Sequence, residues 1–216
     1  MEGMAKNVKK SKEYRKPSQF QDHQVKGMQA AAQKRESSSN PMLLITAGLV
    51  TCAFLFVYYH LLVMHQMTDL SNGLTMPDQR VFGYTVADVE ALRGAMDADA
   101  TGQLNYLHKT AGLLFPLLTA LFSMLIFIRW IPNRQMRWLA WAAPLLFAVT
   151  DLWENFAIDS LFGADLNEGT VALASVLTTI RWVTLFITAA LIIGLGARRA
   201  NMALINKMAE VRNQES

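Results

Sequence analysis

The sequence predicts an all-α polytopic membrane protein, an antiparallel four-helix transmembrane bundle with a short external amphipathic helix. Its 216 residues are 52% hydrophobic and 17% charged, which is less charge than a soluble domain carries. Four segments each supply the roughly 20 apolar residues that a helix needs to cross a bilayer. Lysine and arginine are also shared unevenly among the connections between these segments. These observations together define the predicted class.

The four predicted spans are residues 42–64, 107–128, 136–162 and 171–197. The first ends in the aromatic pair Tyr58-Tyr59, which is typical of the membrane interface. The second and the fourth are nearly continuous apolar runs, and the third is interrupted by acidic residues. An even number of spans places both chain termini on the same side of the membrane.

The basic residues indicate which side that is. Sixteen Lys and Arg lie in residues 1–40, in the link at residues 129–137 and after residue 197, against three, Arg80, Arg93 and Lys109, in or beside the other two connections. This bias predicts cytoplasmic termini in an inner (plasma) membrane. We expect a basic, disordered tail over residues 1–40, which either binds anionic lipid or only fixes the topology. Residues 198–216 are the predicted C-terminal tail. The net charge of +3 reflects this topology, so no nucleic-acid partner is expected.

The external connection, residues 65–106, is long enough to contain a helix. Thr85 followed by Asp88 resembles a capping box, and Val86, Val89 and Leu92 recur at helical spacing. We therefore predict a short amphipathic helix between Gly83 and Gly102, lying over the outer mouth of the bundle.

Polar residues in the third span fall on one helical face. Since each residue advances a helix by 100°, Glu154 and Asn155 lie within about 60° of Asp151. Carboxylates at membrane depth are costly, so the bundle must supply partners for them. The single charge of the fourth span is Arg181.

Helical rise brings these groups to a common depth. Counted from the cytoplasmic ends of their spans, Asp151, Glu154 and Arg181 lie roughly 21–25 Å deep, and His60 and His108 lie roughly 28–31 Å deep. We assign Asp151 and Arg181 to a structural ion pair. The remaining polar residues of this layer form a candidate ligand or proton site: Glu154, Asn155, His60, His108 and Lys109. The alternative is that the whole layer only fixes the order of the helices.

No metal or cofactor is expected at this layer. The two histidines and Glu154 are chemically able to bind zinc, but no two of them share a helix at ligand spacing. No catalytic serine or cysteine motif is present either.

Several short motifs carry a resemblance to a family. They are Met76-Pro77-Asp78, Gly83-Tyr84-Thr85, Leu114-Phe115-Pro116 after Tyr106, and Asp151-Leu152-Trp153-Glu154-Asn155. Over residues 42–197 the chain resembles a family of uncharacterised bacterial four-span integral membrane proteins, although Ala111-Gly112 stands where an acid is expected. The likeness implies the four-span topology and a polar outer site, and it implies no activity. In architecture alone the chain is also similar to the sterol isomerase and sigma-2 receptor class.

Three functions are compatible with these features. The first is an integral membrane binding or accessory protein, whose polar layer holds a lipid, a small apolar ligand or a helix of a membrane-protein partner or second copy. The second is a membrane-embedded enzyme, isomerase-like, with general acid/base chemistry on a lipid. The third is a small proton-coupled carrier, which usually shows inverted repeats that are not visible here. We favour them in that order.

Overall fold

The computed structural model describes Lys26, Met28, residues 41–163 and residues 165–215. The predicted disordered tail therefore lies outside the described residues at all but two positions. The chain divides into two units, Met1–Pro41 and Met42–Ser216, and the account below concerns the second.

All regular structure in residues 41–215 is helical, which confirms the all-α prediction. Six helices follow one another: α1 (Pro41–Leu70), α2 (Val86–Ala95), α3 (Ala98–Lys109), α4 (Ala111–Trp130), α5 (Arg134–Leu161) and α6 (Glu168–Glu215). Helix α1 is π-helical over Val57–Val63. A short 3-10 turn, Pro77–Gln79, lies in the connection between α1 and α2.

Among the described residues, three helical stretches are long and apolar enough to cross a membrane, as expected of a membrane protein. They are α1, the stretch Ala98–Trp130 formed by α3 with α4, and α6. Helix α5 covers the predicted third span but does not reach the same apolarity. It carries five charged residues, Arg134, Arg137, Asp151, Glu154 and Asp159. The four-span antiparallel arrangement thus stays a prediction.

The segment predicted as an external connection, residues 65–106, contains more helix than expected, because it includes α2 and the first part of α3. We call residues 71–85, between α1 and α2, the connection. Thr85 caps α2, since its hydroxyl accepts from the Asp88 amide while the Asp88 carboxylate accepts from the Thr85 amide. The two hydrogen bonds from Thr85 to that carboxylate also lower the pKa of Asp88. Helix α3 then begins at residue 98, capped by Asp97. Gly102, which was expected to follow the external helix, lies inside α3.

The helices pack around α5. It contacts α4 and α6 along its length and α3 near its C-terminal end. At that end a cluster of buried apolar side chains joins α1, the connection, α2 and α3 to α5 and α6. Tyr59, Met64, Met76, Val89 and Ile158 are fully buried members of it. The connection is therefore packed into the bundle as part of its core.

Gly83 lets the connection approach α6 closely. Its φ is +89°, a backbone conformation that favours glycine. A Cβ atom here would lie 2.6 Å from Ser175 Oγ. The next amide, that of Tyr84, donates to the same Oγ at 2.9 Å. A side chain at position 83 would therefore strain the backbone and displace the group that anchors it.

Replacing this glycine tests how much the connection contributes to stability. We expect Gly83→Ala to cost about 1–2 kcal/mol, since the backbone is left-handed here and the new methyl group meets Ser175. The control is Gly94→Ala, because nothing lies within 4 Å of a Cβ added to Gly94 in α2. That change should be neutral or stabilising, by up to about 1 kcal/mol. Thermal unfolding of both variants in nanodiscs decides; equal melting temperatures would contradict the role given to Gly83.

Candidate functional site

A single buried guanidinium organises the polar residues of the bundle. Arg181, on α6, is almost completely buried. Its Nε lies 2.7 Å from Glu154 Oε2 and its Nη1 lies 3.2 Å from Asp151 Oδ1. The expected pair with Asp151 is thus present in the structure, but Glu154 is the nearer acid. The structure therefore does not separate a structural Asp151 from a free Glu154.

The connection between α1 and α2 supplies a third partner, Asp78. This residue follows Pro77 in the 3-10 turn and is completely buried. Its backbone carbonyl accepts hydrogen bonds from Arg181 Nη2 and from Trp182 Nε1. Its carboxylate Oδ1 accepts from the Tyr59 hydroxyl at 3.0 Å and lies 4.0 Å from Arg181 Nη1. Side chain and backbone of one residue thus tie the connection to α1 and α6.

His108 links Asp78 to the surface. Its Nε2 lies 3.2 Å from Asp78 Oδ1, and its Nδ1 lies 2.6 Å from Asp159 Oδ1. Asp159 is on the last turns of α5 and 17% of its side chain is exposed. It also accepts a hydrogen bond from Asn105 at 2.7 Å. We call the row Asp78, His108 and Asp159 the acid–histidine bridge.

One hydroxyl group and one side-chain amide complete the layer around the acids. Thr178 donates to Glu154 Oε1 at 2.7 Å. Asn155 Nδ2 donates to the Gly112 carbonyl at 3.0 Å and lies 3.5 Å from Asp151 Oδ2. A Cβ at Gly112 would lie 2.9 Å from that amide nitrogen, so a side chain at this position would displace the Asn155 amide. Asn155 therefore links α5 to α4 through the Gly112 carbonyl and also lies beside the Asp151 carboxylate.

The two remaining candidate residues lie apart from these contacts. The His60 ring packs against the rings of Phe56, Phe115 and Trp182, at centroid distances of 5.0–5.4 Å. Neither of its ring nitrogens has a hydrogen-bond partner among the described residues. Lys109 is exposed and donates to Asn105. The structure thus brings Asp151, Glu154, Asn155 and Arg181 into contact, joins His108 to them through Asp78, and leaves His60 and Lys109 outside.

Several members of this network were absent from the predicted site. Asp78, Asp159, Tyr59, Thr178 and Trp182 all make contacts within it. Asp78 and Asp159 carry one signal in the sequence, since both are acids next to apolar segments. Burial acts to raise the pKa of Asp78, but the neighbouring His108 and Arg181 outweigh it and hold that pKa below its usual range.

The chemistry open to this network is charge pairing and proton exchange. Among the described residues no group of three or more His, Cys, Asp or Glu side chains is arranged to hold a metal ion. Asp78, Asp151 and Glu154 are all fully buried, so an external substrate cannot reach them in this conformation. General acid/base catalysis requires the proton-transferring group to come within hydrogen-bond reach of its substrate.

A wide groove lies at the other end of α5. It has a volume of about 1100 Å3 and runs between the first half of α5 and the second half of α6. Aliphatic side chains line most of its length, among them Leu139, Leu146 and Leu191. Arg198 and Arg199 lie at the end where α6 continues beyond its apolar part. The guanidinium of Arg199 lies over the Trp130 ring, 5.9 Å from its centroid.

Comparisons with protein-family models, with curated proteins and with solved structures find no match to this chain.

A double-mutant cycle tests whether the buried charges stabilise one another. We expect Arg181→Leu to cost about 3–5 kcal/mol, because it leaves buried carboxylates without a counter-charge. Adding Glu154→Leu should recover part of that loss, and adding Asp151→Leu should recover less, since its carboxylate is farther from Arg181. Chemical denaturation in detergent gives the four free energies of each cycle.

The control for this cycle is the half-exposed pair of Arg80 and Asp88, whose side chains lie 2.6 Å apart. Arg80→Leu should cost no more than about 1 kcal/mol, because solvent screens the lost charge. Strict additivity in both buried cycles would mean that Arg181 does not interact with the α5 acids.

Proposed function

We propose that this chain is a four-span integral membrane protein with both termini in the cytoplasm, and that it binds an anionic membrane lipid in the groove between α5 and α6. The observation that carries the proposal is the groove itself. Its aliphatic part matches the acyl chains of such a lipid, and the pair of arginines at its end matches the anionic head group. The outer polar network then serves to hold the bundle and its connection together.

The exposed surface of α5 supports a fourth span. Its charged residues at membrane depth, Asp151 and Glu154, face Arg181 inside the bundle. The side chains that α5 exposes around them are apolar, with Val149, Trp153 and Phe156 each more than half exposed. Buried charge with an exposed apolar surface is the arrangement that a helix in lipid requires. Twenty-eight residues also span about 42 Å, which is enough to cross.

Charge complementarity supports a lipid as the occupant of the groove. Arg198 and Arg199 lie where the apolar part of α6 ends, which is the depth of the head groups at the proposed cytoplasmic surface. Basic residues at that surface attract anionic lipid, each by about 1 kcal/mol. Leu139, Leu191 and Leu195 then lie along the path of the acyl chains. A soluble anion has no apolar part that could contact the aliphatic side chains of this groove.

Enclosure of the acids favours binding over catalysis. The candidate acids of an isomerase-like enzyme, Asp151 and Glu154, contact Arg181 and are fully buried. A lipid substrate must reach the group that exchanges its proton. The groove, by contrast, is open and carries no acid or histidine among its lining residues. Holding a lipid is therefore the activity that the accessible part of the bundle supports best.

Cysteine labelling tests the topology. In a Cys52→Ser background, Thr75→Cys should react with a membrane-impermeant thiol reagent added outside the cell, because the positive-inside bias places the connection there. Gln135→Cys should react only after the membrane is opened. Both positions are exposed. The reverse pattern, or equal access to both cysteines, would overturn the proposed orientation.

Lipid retention tests the groove. Nanodiscs of equal parts phosphatidylglycerol and phosphatidylcholine supply the probes, and native mass spectrometry after gentle release reports which lipid stays bound. We expect the protein to retain phosphatidylglycerol in preference, and Arg198→Ala combined with Arg199→Ala to reduce that preference about tenfold or more, as two charges worth roughly 1 kcal/mol each imply. Ala143→Trp should reduce retention of both lipids by filling the groove.

The matched control removes two arginines that do not line the groove, Arg134→Ala combined with Arg212→Ala, and should leave the preference unchanged. Equal retention of the two lipids by the unaltered protein, or equal losses in both double variants, would contradict a specific site.

A further inference from the structure

Both ring nitrogens of His108 face carboxylate oxygens. Nδ1 lies 2.6 Å from Asp159 Oδ1 and Nε2 lies 3.2 Å from Asp78 Oδ1. A neutral imidazole has one N–H donor and one lone pair. Two ionised carboxylates offer acceptors only. With a neutral ring and two ionised carboxylates, one of the two contacts would therefore place a nitrogen lone pair against a carboxylate oxygen. The short contact on each side thus requires one additional proton in the bridge.

The surroundings decide where that proton resides. Asp78 Oδ1 also accepts from the Tyr59 hydroxyl, and Asp159 Oδ2 accepts from the Asn105 amide at 2.7 Å. Hydrogen bonds donated to a carboxylate favour its ionised form. The lowered pKa of Asp78 agrees with this. The ring is therefore the place for the extra proton, since it gains a charge-assisted hydrogen bond on each side.

We propose that the acid–histidine bridge is a binding site for one exchangeable proton, held as the imidazolium of His108 and exchanged with the outer aqueous phase through Asp159. This site is separate from the lipid groove and does not depend on it. Its distinguishing feature is that a single protonation holds two segments of the chain together.

A surface depression gives the proton its path. It has a volume of about 300 Å3, and Asn105, Asp159 and Gly163 are among the residues that line it. Arg93 donates to the Gly163 carbonyl at its edge. Asp159 is the one member of the bridge with appreciable exposure, whereas His108 and Asp78 are buried. Protons thus reach the ring from water by way of the Asp159 carboxylate.

Loss of the proton acts on the connection. Asp78 is one of the residues through which the connection contacts α1 and α6, so repulsion at its carboxylate loosens residues 76–84. A bridge that favours the protonated form stabilises the protein at low pH and stops doing so as pH rises. Other titratable or charged groups around the bridge are Tyr59 and His60 on α1, Tyr84 in the connection, Arg93 on α2, Lys109 on α3, Asp151 and Glu154 on α5, and Arg181 on α6.

These groups influence the protonation of His108, but none of them takes over its place between the two carboxylates. Arg181 contacts both α5 acids, so their opposite charges partly cancel and their net electrostatic effect on His108 is reduced. The exposed Lys109 contacts Asn105, and solvent screens it. The buried His60 is surrounded by aromatic rings and has no carboxylate partner among the described residues.

NMR of the imidazole nitrogens tests the site directly. In nanodiscs at neutral pH we expect the His108 ring, identified by the signal that His108→Gln removes, to show N–H protons on both nitrogens. His60 serves as the internal control and should show the pattern of a neutral ring. In Asp159→Asn a neutral ring satisfies the remaining carboxylate, so the doubly protonated signal should be lost. A neutral His108 ring in the unaltered protein at neutral pH would overturn the proposal.

Hydrogen exchange tests the consequence. After correction for the intrinsic effect of pH, amides of residues 76–84 should lose protection on going from neutral to alkaline pH. In Lys109→Gln, which removes the neighbouring exposed charge, the same loss should occur at the same pH. In His108→Gln the protection should be low throughout and independent of pH. Protection that changes with pH in His108→Gln as it does in the unaltered protein would show that another group is responsible.

Discussion

The guanidinium of Arg181 is the charge around which the C-terminal half of α5 and the segments packed against it are arranged. A buried arginine needs acceptors for its donors and a compensating charge, and two elements of the described structure share in providing them. Helix α5 brings the two carboxylates, and the connection brings the Asp78 carbonyl. The position of α5 beside α6 and the inward path of the connection are thus fixed by one requirement. Buried ion pairs are weak evidence for high stability, but a set with three contributing segments specifies a unique arrangement well.

The two halves of α5 differ in how they are completed. Toward its C-terminal end its polar face is covered by α6 and by the connection, and the apolar cluster around Met76 and Ile158 closes the remaining space. Toward its N-terminal end no comparable segment among the described residues covers the groove that it forms with α6. The C-terminal half of α5 is therefore covered by the protein itself, and in our proposal the N-terminal half is covered by lipid. This division assigns rigidity to one end of the bundle and exchangeable contacts to the other.

The regular part of the site was predictable because a helix has a fixed rise and rotation. Those two constants placed Asp151, Glu154 and Arg181 at one depth, and Asn155 on the same face as Asp151. They were insufficient for His60, because depth gives no direction around the axis and the π-helical turn at Val57–Val63 changes the rotation of α1.

The irregular part could not be predicted in this way. Asp78 lies in a connection whose path has no fixed rise, and its burial depends on Pro77, on the left-handed Gly83 and on packing against α6. Asp159 lies near the C-terminal end of α5, and its side chain is partly exposed. Its contact with His108 joins two different helices, and helical rise and rotation within one helix do not predict which residues of two helices meet. The predicted helices thus account for the framework, and tertiary contacts account for the rest of the network.

The distribution of partners around Arg181 has a consequence for the order of membrane insertion during synthesis. The α5 acids leave the ribosome about 30 residues before their counter-charge, and helix insertion becomes unfavourable by about 2.5–3.5 kcal/mol for a central aspartate. Only the short link at residues 162–167 separates α5 from α6. In the proposed topology we expect the translocation machinery to release these two helices into the bilayer as a hairpin, with α5 held back until α6 has emerged. The connection that carries Asp78, already outside, would then be drawn into the assembled pair last.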